Sequence, residues 1–304
     1  GEVILLMNRD TQTNTFERSC QHWSEEGRAG MEAFYRLASF DYELLAEELD
    51  WLQVFTELAQ RHEPEIRLLD VACGRGQFPA ALLKFGGLQM SQNLSVKYSL
   101  LDPSNFSIRT ARQRLVGPFE PSEEHLCTIQ QFEPTTSRYA VVWATHALYC
   151  VPQCELEVAA DQMLAALEPT GLGFIAHASQ HSHYVRFHDL YLQSLRSEHA
   201  EPFSTGEQLI EVLQGKVDMA ELRCWPIDYE GRLDLNDRDT AERYLQRCLF
   251  DDTISLDAML ADKRMGDHLR SCVDGSSGMW RFPQRVWLIF FGELAKSIGD
   301  YRRR

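Results

Sequence analysis

The stretch LLDVACGRGQF, Leu68 to Phe78, decides how the rest of the chain is read. An apolar run ends in Asp70, a turn carries Gly74 and Gly76 with one residue between them, and apolar residues then resume at helical spacing. Glycine reaches positive φ without steric cost and lets a ligand approach the backbone closely. Amides left unpaired at a helix start favour a negative group. The spacing therefore predicts a strand, a ligand-binding turn and a helix from Gln77 to Phe85.

Downstream, Lys97 to Leu101 reads as a second strand, and Asp102 ends it, 26 residues after Gly76. A carboxylate at that place suits the two hydroxyls of a ribose. The dehydrogenase fingerprint G-x-G-x-x-G is not met, because Gln77 stands where its third glycine belongs.

The alternation continues. A helix is expected over Ser104–Leu115, a third strand over His125–Gln130, a fourth over Tyr139–Trp143, a helix over Glu155–Leu167 and a fifth strand over Gly173–His177. Beyond these lie helices near Tyr184–Arg196, Thr240–Leu249 and Leu256–Leu269, strands at Leu222–Ile227 and Val286–Phe291, and a helix behind a capping-box pattern at Ser204 and Glu207. Upstream, apolar residues from Phe34 to Phe55 recur at helical spacing until His62-Glu63-Pro64 breaks the pattern. Alternating strands and helices imply a mainly parallel sheet covered on both faces. The expected fold is α/β with seven strands. Residues 1–63 form a helical cover, and 64–304 form the main domain, with insertions near 178–215 and 228–284.

The turn and its acidic partner resemble class I S-adenosylmethionine-dependent methyltransferases, whose first motif is an acid followed by G-x-G-x-G. Here it reads Asp70-Val71-Ala72-Cys73-Gly74-Arg75-Gly76, with alanine in place of the first glycine. That alanine costs little where positive φ is not needed. The resemblance implies a Rossmann-like fold, S-adenosylmethionine as cofactor, and a cofactor site built from Asp70, Ala72, Cys73, Gly74, Gly76, Asp102, Pro103 and Ser104.

LLDPSNFSI, THALYCVP and FSTGEQLIEVLQ look like segments of histamine N-methyltransferase and related small-molecule methyltransferases. This closer resemblance runs from about Arg67 to Leu213. It implies that Gln131 and Phe132 frame the adenine, and that Thr145 and His146 lie near the methyl group. His146 stands where that family has a glutamine. The family's acid for the substrate ammonium has no secure equivalent, and Glu25, Glu26 and Glu32 are candidates. Histidine orients a substrate or takes a proton near neutral pH, so His146 reads first as an acceptor-positioning residue and second as a base, with Tyr149 three residues on. Tyr35, His177, His181 and Trp280 are further candidates for the substrate pocket. The expected reaction is methyl transfer to nitrogen or oxygen of a small metabolite, nitrogen slightly favoured. A rearrangement or cyclisation on the same fold, or a non-catalytic binding subunit, are the alternatives.

Composition narrows the partners. The 304 residues carry a net charge of −15 and a pI near 5.1, which argues against nucleic acid or an anionic membrane. The start GEVILLM is too short for a signal peptide and lacks a basic leader. Eight cysteines without CxxC spacing read as free thiols in a reducing compartment, so the cytoplasm is expected. His177, His181, His183 and His188 crowd twelve residues, but neighbouring sequence completes no ligand set, so no metal is expected. Oligomeric state is not legible.

Overall fold

The computed structural model describes residues 28–62, 65–134, 138–195 and 201–304, the side chains of 28–36 and 38 excepted. Its strands are β1 (Ile66–Val71), β2 (Val96–Leu101), β3 (Phe119–His125), β4 (Tyr139–Thr145), β5 (Leu167–Ala178), β6 (Leu222–Asp234), β7 (Val273–Asp274) and β8 (Met279–Phe291). They form one sheet in the order β3-β2-β1-β4-β5-β8-β6, with the two-residue β7 also pairing with β8. The first five strands run parallel, and β8 runs antiparallel to β5 and β6.

β4 is an almost wholly apolar run, and β1 is buried at every position but Arg67, because both faces of a parallel sheet are covered. One face carries α1 (Arg28–Glu48), α2 (Trp51–Arg61), α3 (Gln77–Phe85) and α4 (Asn105–Arg114). The other carries α5 (Leu156–Ala166) and α7 (Gly206–Gln214), with α6 (His183–Leu195) between them in sequence. The first cluster centres on Trp51, Phe78, Trp143 and Phe174, whose rings meet at centroid distances of 4.9–6.0 Å. Leu45, Leu49, Val54, Phe55 and Leu58 are buried in this same core, so the end of α1 and the whole of α2 are integral to the sheet's packing. The ladder between β6 and β8 is 13 residues long and carries α8 (Arg238–Leu249), α9 (Leu256–Ala261) and α10 (Lys263–Ser271), which pack a separate cluster with α6.

Three local expectations shift. The third strand is Phe119–His125, and Ile129–Gln131 is a single 3-10 turn. β3 is an edge strand in which only Phe119 is buried, so polar residues hide its period. The N-terminal helix is two helices, because the Asp50 side chain accepts from the Gln53 amide and starts α2. The capping box belongs to Thr205 and Gln208, one residue later than expected. Glu207 instead accepts from Ser179 Oγ at 2.5 Å, the Gln180 amide at 2.9 Å and Trp287 Nε1 at 2.9 Å, which fixes the turn after β5. Among the described residues no helix is long and apolar enough to cross a membrane.

Candidate functional site

β1 pairs with β2 on one side and β4 on the other, so the chain reverses its direction of travel across the sheet between β1 and β4. In open α/β sheets ligands bind outside the carboxyl ends at such a switch point. The turn after β1 and the turn after β4 flank it. Between them lies a cleft of about 1010 Å³, open to solvent. Its walls include Ala72, Cys73, Gly74, Asp102, Pro103, Ser104, Thr145, His146 and Tyr149, all named from sequence.

The glycine turn is held by its acidic partner. Asp102 accepts from the Gly74 amide at 3.0 Å and from the Ser104 amide at 2.8 Å, which ties the end of β2 to the turn after β1. Burial pushes its carboxyl up to about 6, and those two amides limit the rise. Gly76 stands behind the wall at φ +71°, where it caps α3 against Ala111. Ala72 also has positive φ, +50°. An L-residue there carries backbone strain of about 1–2 kcal/mol. Glycine relieves the strain but loses more unfolded-state entropy. Ala72→Gly is therefore expected to raise stability by about 0.5–1 kcal/mol, read as a higher urea midpoint at unchanged m. An unchanged or lower midpoint would show that the alanine is at ease.

Asp70 does not line the cleft. It lies 2% exposed beneath the turn and accepts from Tyr98 Oη at 2.5 Å, while Trp143 Nε1 donates to the same hydroxyl at 3.2 Å. Burial pushes Asp70 up to about 7 against the pull of those donors. Gln131 and Phe132 also lie outside the wall. Gln131 closes a capping box with Thr128, and Phe132 is buried against the His125 ring. The expected third strand placed them one turn too late, and Ile129 and Gln130 line the cleft instead.

A second cavity of about 660 Å³ adjoins the first and shares Tyr42, His146, Tyr149 and Tyr184 with it. Tyr229, Tyr244, Gln284 and Asp41 complete its polar lining, with Ser182. Burial pushes all five tyrosines above the usual phenol range, so each is neutral at physiological pH. His146 sits at the junction with φ +52°. Its Nδ1 meets Tyr149 Oη at 2.5 Å, and its Nε2 abuts Asp41 Oδ2 in a close contact that is out of line for a hydrogen bond. Tyr149 Oη already accepts from the Ala178 amide at 2.9 Å. A carboxylate faces Nε2, so that nitrogen carries the proton, Nδ1 accepts, and Tyr149 donates to it. Nδ1 is thus hydrogen-bonded within the protein, while Nε2 lies against Asp41 without a hydrogen bond. Asp41 is 3% exposed; Tyr229 donates a hydrogen bond to its carboxylate, and Oδ1 has no further hydrogen-bond partner among the described residues.

The remaining expectations fall elsewhere. His177 is fully buried and pairs with the Ser204 carbonyl at 2.8 Å, with Tyr149 packed on its face. His181 is exposed on a different surface. Trp280 is buried among the outer helices. Tyr35 lies in α1 with its side chain outside the described residues, as is that of Glu32, and Glu25 and Glu26 lie outside them altogether. The acid that reaches the pocket is Asp41, which sequence reading missed. The available signal was its place four residues after Leu37 and four before Leu45, on the apolar stripe of α1.

The first cleft is lined by no lysine or arginine among the described residues, and it contains Asp102. Such a donor set fits a ribose with a cationic sulfonium and does not fit a pyrophosphate. Residues 43–215 match the family model described as "Methyltransferase domain". No curated protein matches the chain. Among solved structures, a protein from Bacillus halodurans C-125 assigned as a methyltransferase is 14% identical, with a TM-score of 0.51 over 78% of this chain and 97% of that one. The plantazolicin methyltransferase BpumL with SAH is 14% identical at a TM-score of 0.47, over 94% and 100% of the two chains. Magnesium protoporphyrin IX methyltransferase from Synechocystis PCC 6803 is 9% identical at 0.48, over 95% and 99%. At these identities the likeness concerns the fold alone. The family match covers more than half of the sequence, so this chain belongs to the methyltransferase-domain family and is an S-adenosylmethionine-dependent methyltransferase.

Proposed function

We propose that the enzyme methylates the nitrogen of a small amine or N–H-bearing metabolite seated in the second cavity. The observation that carries this is Asp41, a buried carboxylate whose Oδ1 has no further hydrogen-bond partner among the described residues, beside five neutral tyrosines. A buried carboxylate oxygen left unpaired is costly, and an N–H donor from the acceptor would satisfy it. Tyrosine faces attract a cationic or polarised nitrogen in the same place.

The cofactor, when bound, supplies a methyl group on a sulfonium. The chain's part is to hold, orient and exclude water. Asp102 would accept from the ribose hydroxyls, the turn Ala72–Gly74 would hold the methionine portion, and Ile129 with Gln130 would frame the adenine. Thr145 and His146 border the passage between the cavities. Displacement at the methyl group needs in-line positioning and a free lone pair on the nitrogen. Asp41 holds one acceptor N–H and takes the proton that the nitrogen must shed. His146 and Tyr149 are positioning residues that fix Asp41. Helix α1 forms one wall of the acceptor pocket, through Leu37, Asp41 and Tyr42.

The test is incubation with methyl-labelled S-adenosylmethionine and separate pools of small amines, N-heterocycles and phenols. Label in an N-methyl product is the expected result. Label confined to O-methyl products would overturn the nitrogen reading.

A further inference from the structure

On the outer side of α6 lies a group that methyl transfer leaves unused. His183, the first residue of α6, is fully buried, and its Nδ1 faces His268 Nε2 on α10 at 2.8 Å. Cys272 closes α10 four residues after His268, on the same helix face, with its Sγ 3.9 Å from His268 Nε2. One ligand atom from each of the three residues lies within 4.8 Å of the other two. The His183 ring is wedged against Phe282 at 4.4 Å, which fixes its Nδ1 toward His268, and its other nitrogen, Nε2, has no hydrogen-bond partner among the described residues.

We propose that His183, His268 and Cys272 form a zinc site with three protein ligands. Two imidazoles and a thiolate are the borderline donors that zinc prefers, and no hard oxygen set for calcium or magnesium is present in the triad. Tetrahedral zinc with nitrogen at ~2.05 Å and sulfur at ~2.3 Å sets the ligands about 3.3 Å (N to N) and about 3.6 Å (N to S) apart. Reaching that from 2.8 and 3.9 Å takes changes of a few tenths of an ångström, up to about half, and the His183-to-Cys272 pair, within 4.8 Å, closes by at most about 1.2 Å, by side-chain rotation. Coordination takes both imidazoles in the neutral form and the cysteine as thiolate. On binding, Cys272 gives its thiol proton to solvent. Whichever imidazole carries the shared N–H moves it to its other nitrogen. The fourth position faces the surface cleft lined by His181, Arg186, Asp267 and Asp274, which gives the ion an entry path. The site would pin α10 to the start of α6. Ser182 and Tyr184, the neighbours of His183, line the acceptor cavity, so the ion would stiffen that wall without touching the acceptor.

The test is titration of the reduced, chelator-stripped full chain with cobalt(II). One equivalent should give the visible bands of tetrahedral cobalt with a thiolate-to-metal charge-transfer band, and zinc should displace it. Zinc-loaded protein should show one sulfur and two nitrogens by X-ray absorption and should unfold at a higher temperature than stripped protein. Cys272→Ser should abolish the charge-transfer band and weaken binding at least tenfold. Cys154→Ser, at an exposed thiol, should leave both unchanged. Absence of a one-to-one cobalt spectrum in the wild type overturns the proposal. So does a band that survives Cys272→Ser or disappears with Cys154→Ser. If Cys272→Ser fails to fold, the ligand count from the wild-type absorption edge decides alone.

Discussion

Asp41→Asn lowers kcat/KM for an amine acceptor by about 100-fold or more. Asparagine keeps the shape of the side chain, and its Oδ1 can still face His146 Nε2, so the wall beside the junction stays in place. What is lost is the charge that holds the acceptor N–H and receives its proton. Truncating one partner of a buried charged pair costs about 2–5 kcal/mol, which spans factors of roughly 30 to several thousand. The loss should fall mainly on kcat, because proton removal matters most as the new bond forms, and a rise in KM alone would mark Asp41 as a uniform binding contact. Affinity for S-adenosylhomocysteine should stay within about twofold of wild type, since Asp41 lines the second cavity and not the first. Steady-state kinetics and calorimetry on the same preparation measure both. Unchanged kcat/KM would end the assignment of Asp41 as the acceptor's partner. His146→Gln should cost less, because glutamine can still bridge Tyr149 and Asp41.

This contrast bears on what the sequence made legible. The turn at Ala72–Gly76, the acid ending β2 and the histidine ending β4 were readable because each follows its strand directly, so local order fixes their position in space. Asp41 was not, because its role depends on α1 lying across the ends of β4 and β5, about a hundred residues away. In the acidic run DYELLAEELD it is one carboxylate among several, and only its burial separates it from the rest. His146 follows β4 directly and Tyr149 lies three residues on, within reach of local order, but the carboxylate against its Nε2 comes from α1. The same limit hid the metal-ligand cluster. His268 and Cys272 share a helix face, but His183 joins them from 85 residues away. Edge strand β3 escaped for a different reason. A strand with one covered face and a charged tip has too few apolar residues to show a period.

Asp102 carries the second large effect, and its sign follows from its burial. The folded carboxyl titrates at about 6, above its ordinary 3.8, so the folded protein holds that proton more tightly than the unfolded chain. Its contribution to stability is therefore full below pH 4 and is lost as pH rises through 6. At neutral pH the difference corresponds to about 3 kcal/mol of unfavourable charge burial, which is what remains after the Gly74 and Ser104 amides have offset part of it. A ligand that donates hydrogen bonds to the carboxylate removes part of that cost. Cofactor binding should therefore favour the ionised form. Affinity for S-adenosylhomocysteine should be flat above about pH 7 and fall by up to tenfold per pH unit below 6, with protons released on binding in buffers near pH 6. Asp102→Ala should cost at least about 100-fold in affinity, as two hydrogen bonds to a charged acceptor are each worth about 1.5–3 kcal/mol. Asp102→Asn should flatten the pH dependence while retaining the turn, because its carbonyl oxygen still accepts one amide. Calorimetry from pH 5 to 8 on the wild type and both variants separates these outcomes. A wild-type affinity that does not change across pH 6 would mean that Asp102 braces the glycine turn without meeting the ribose.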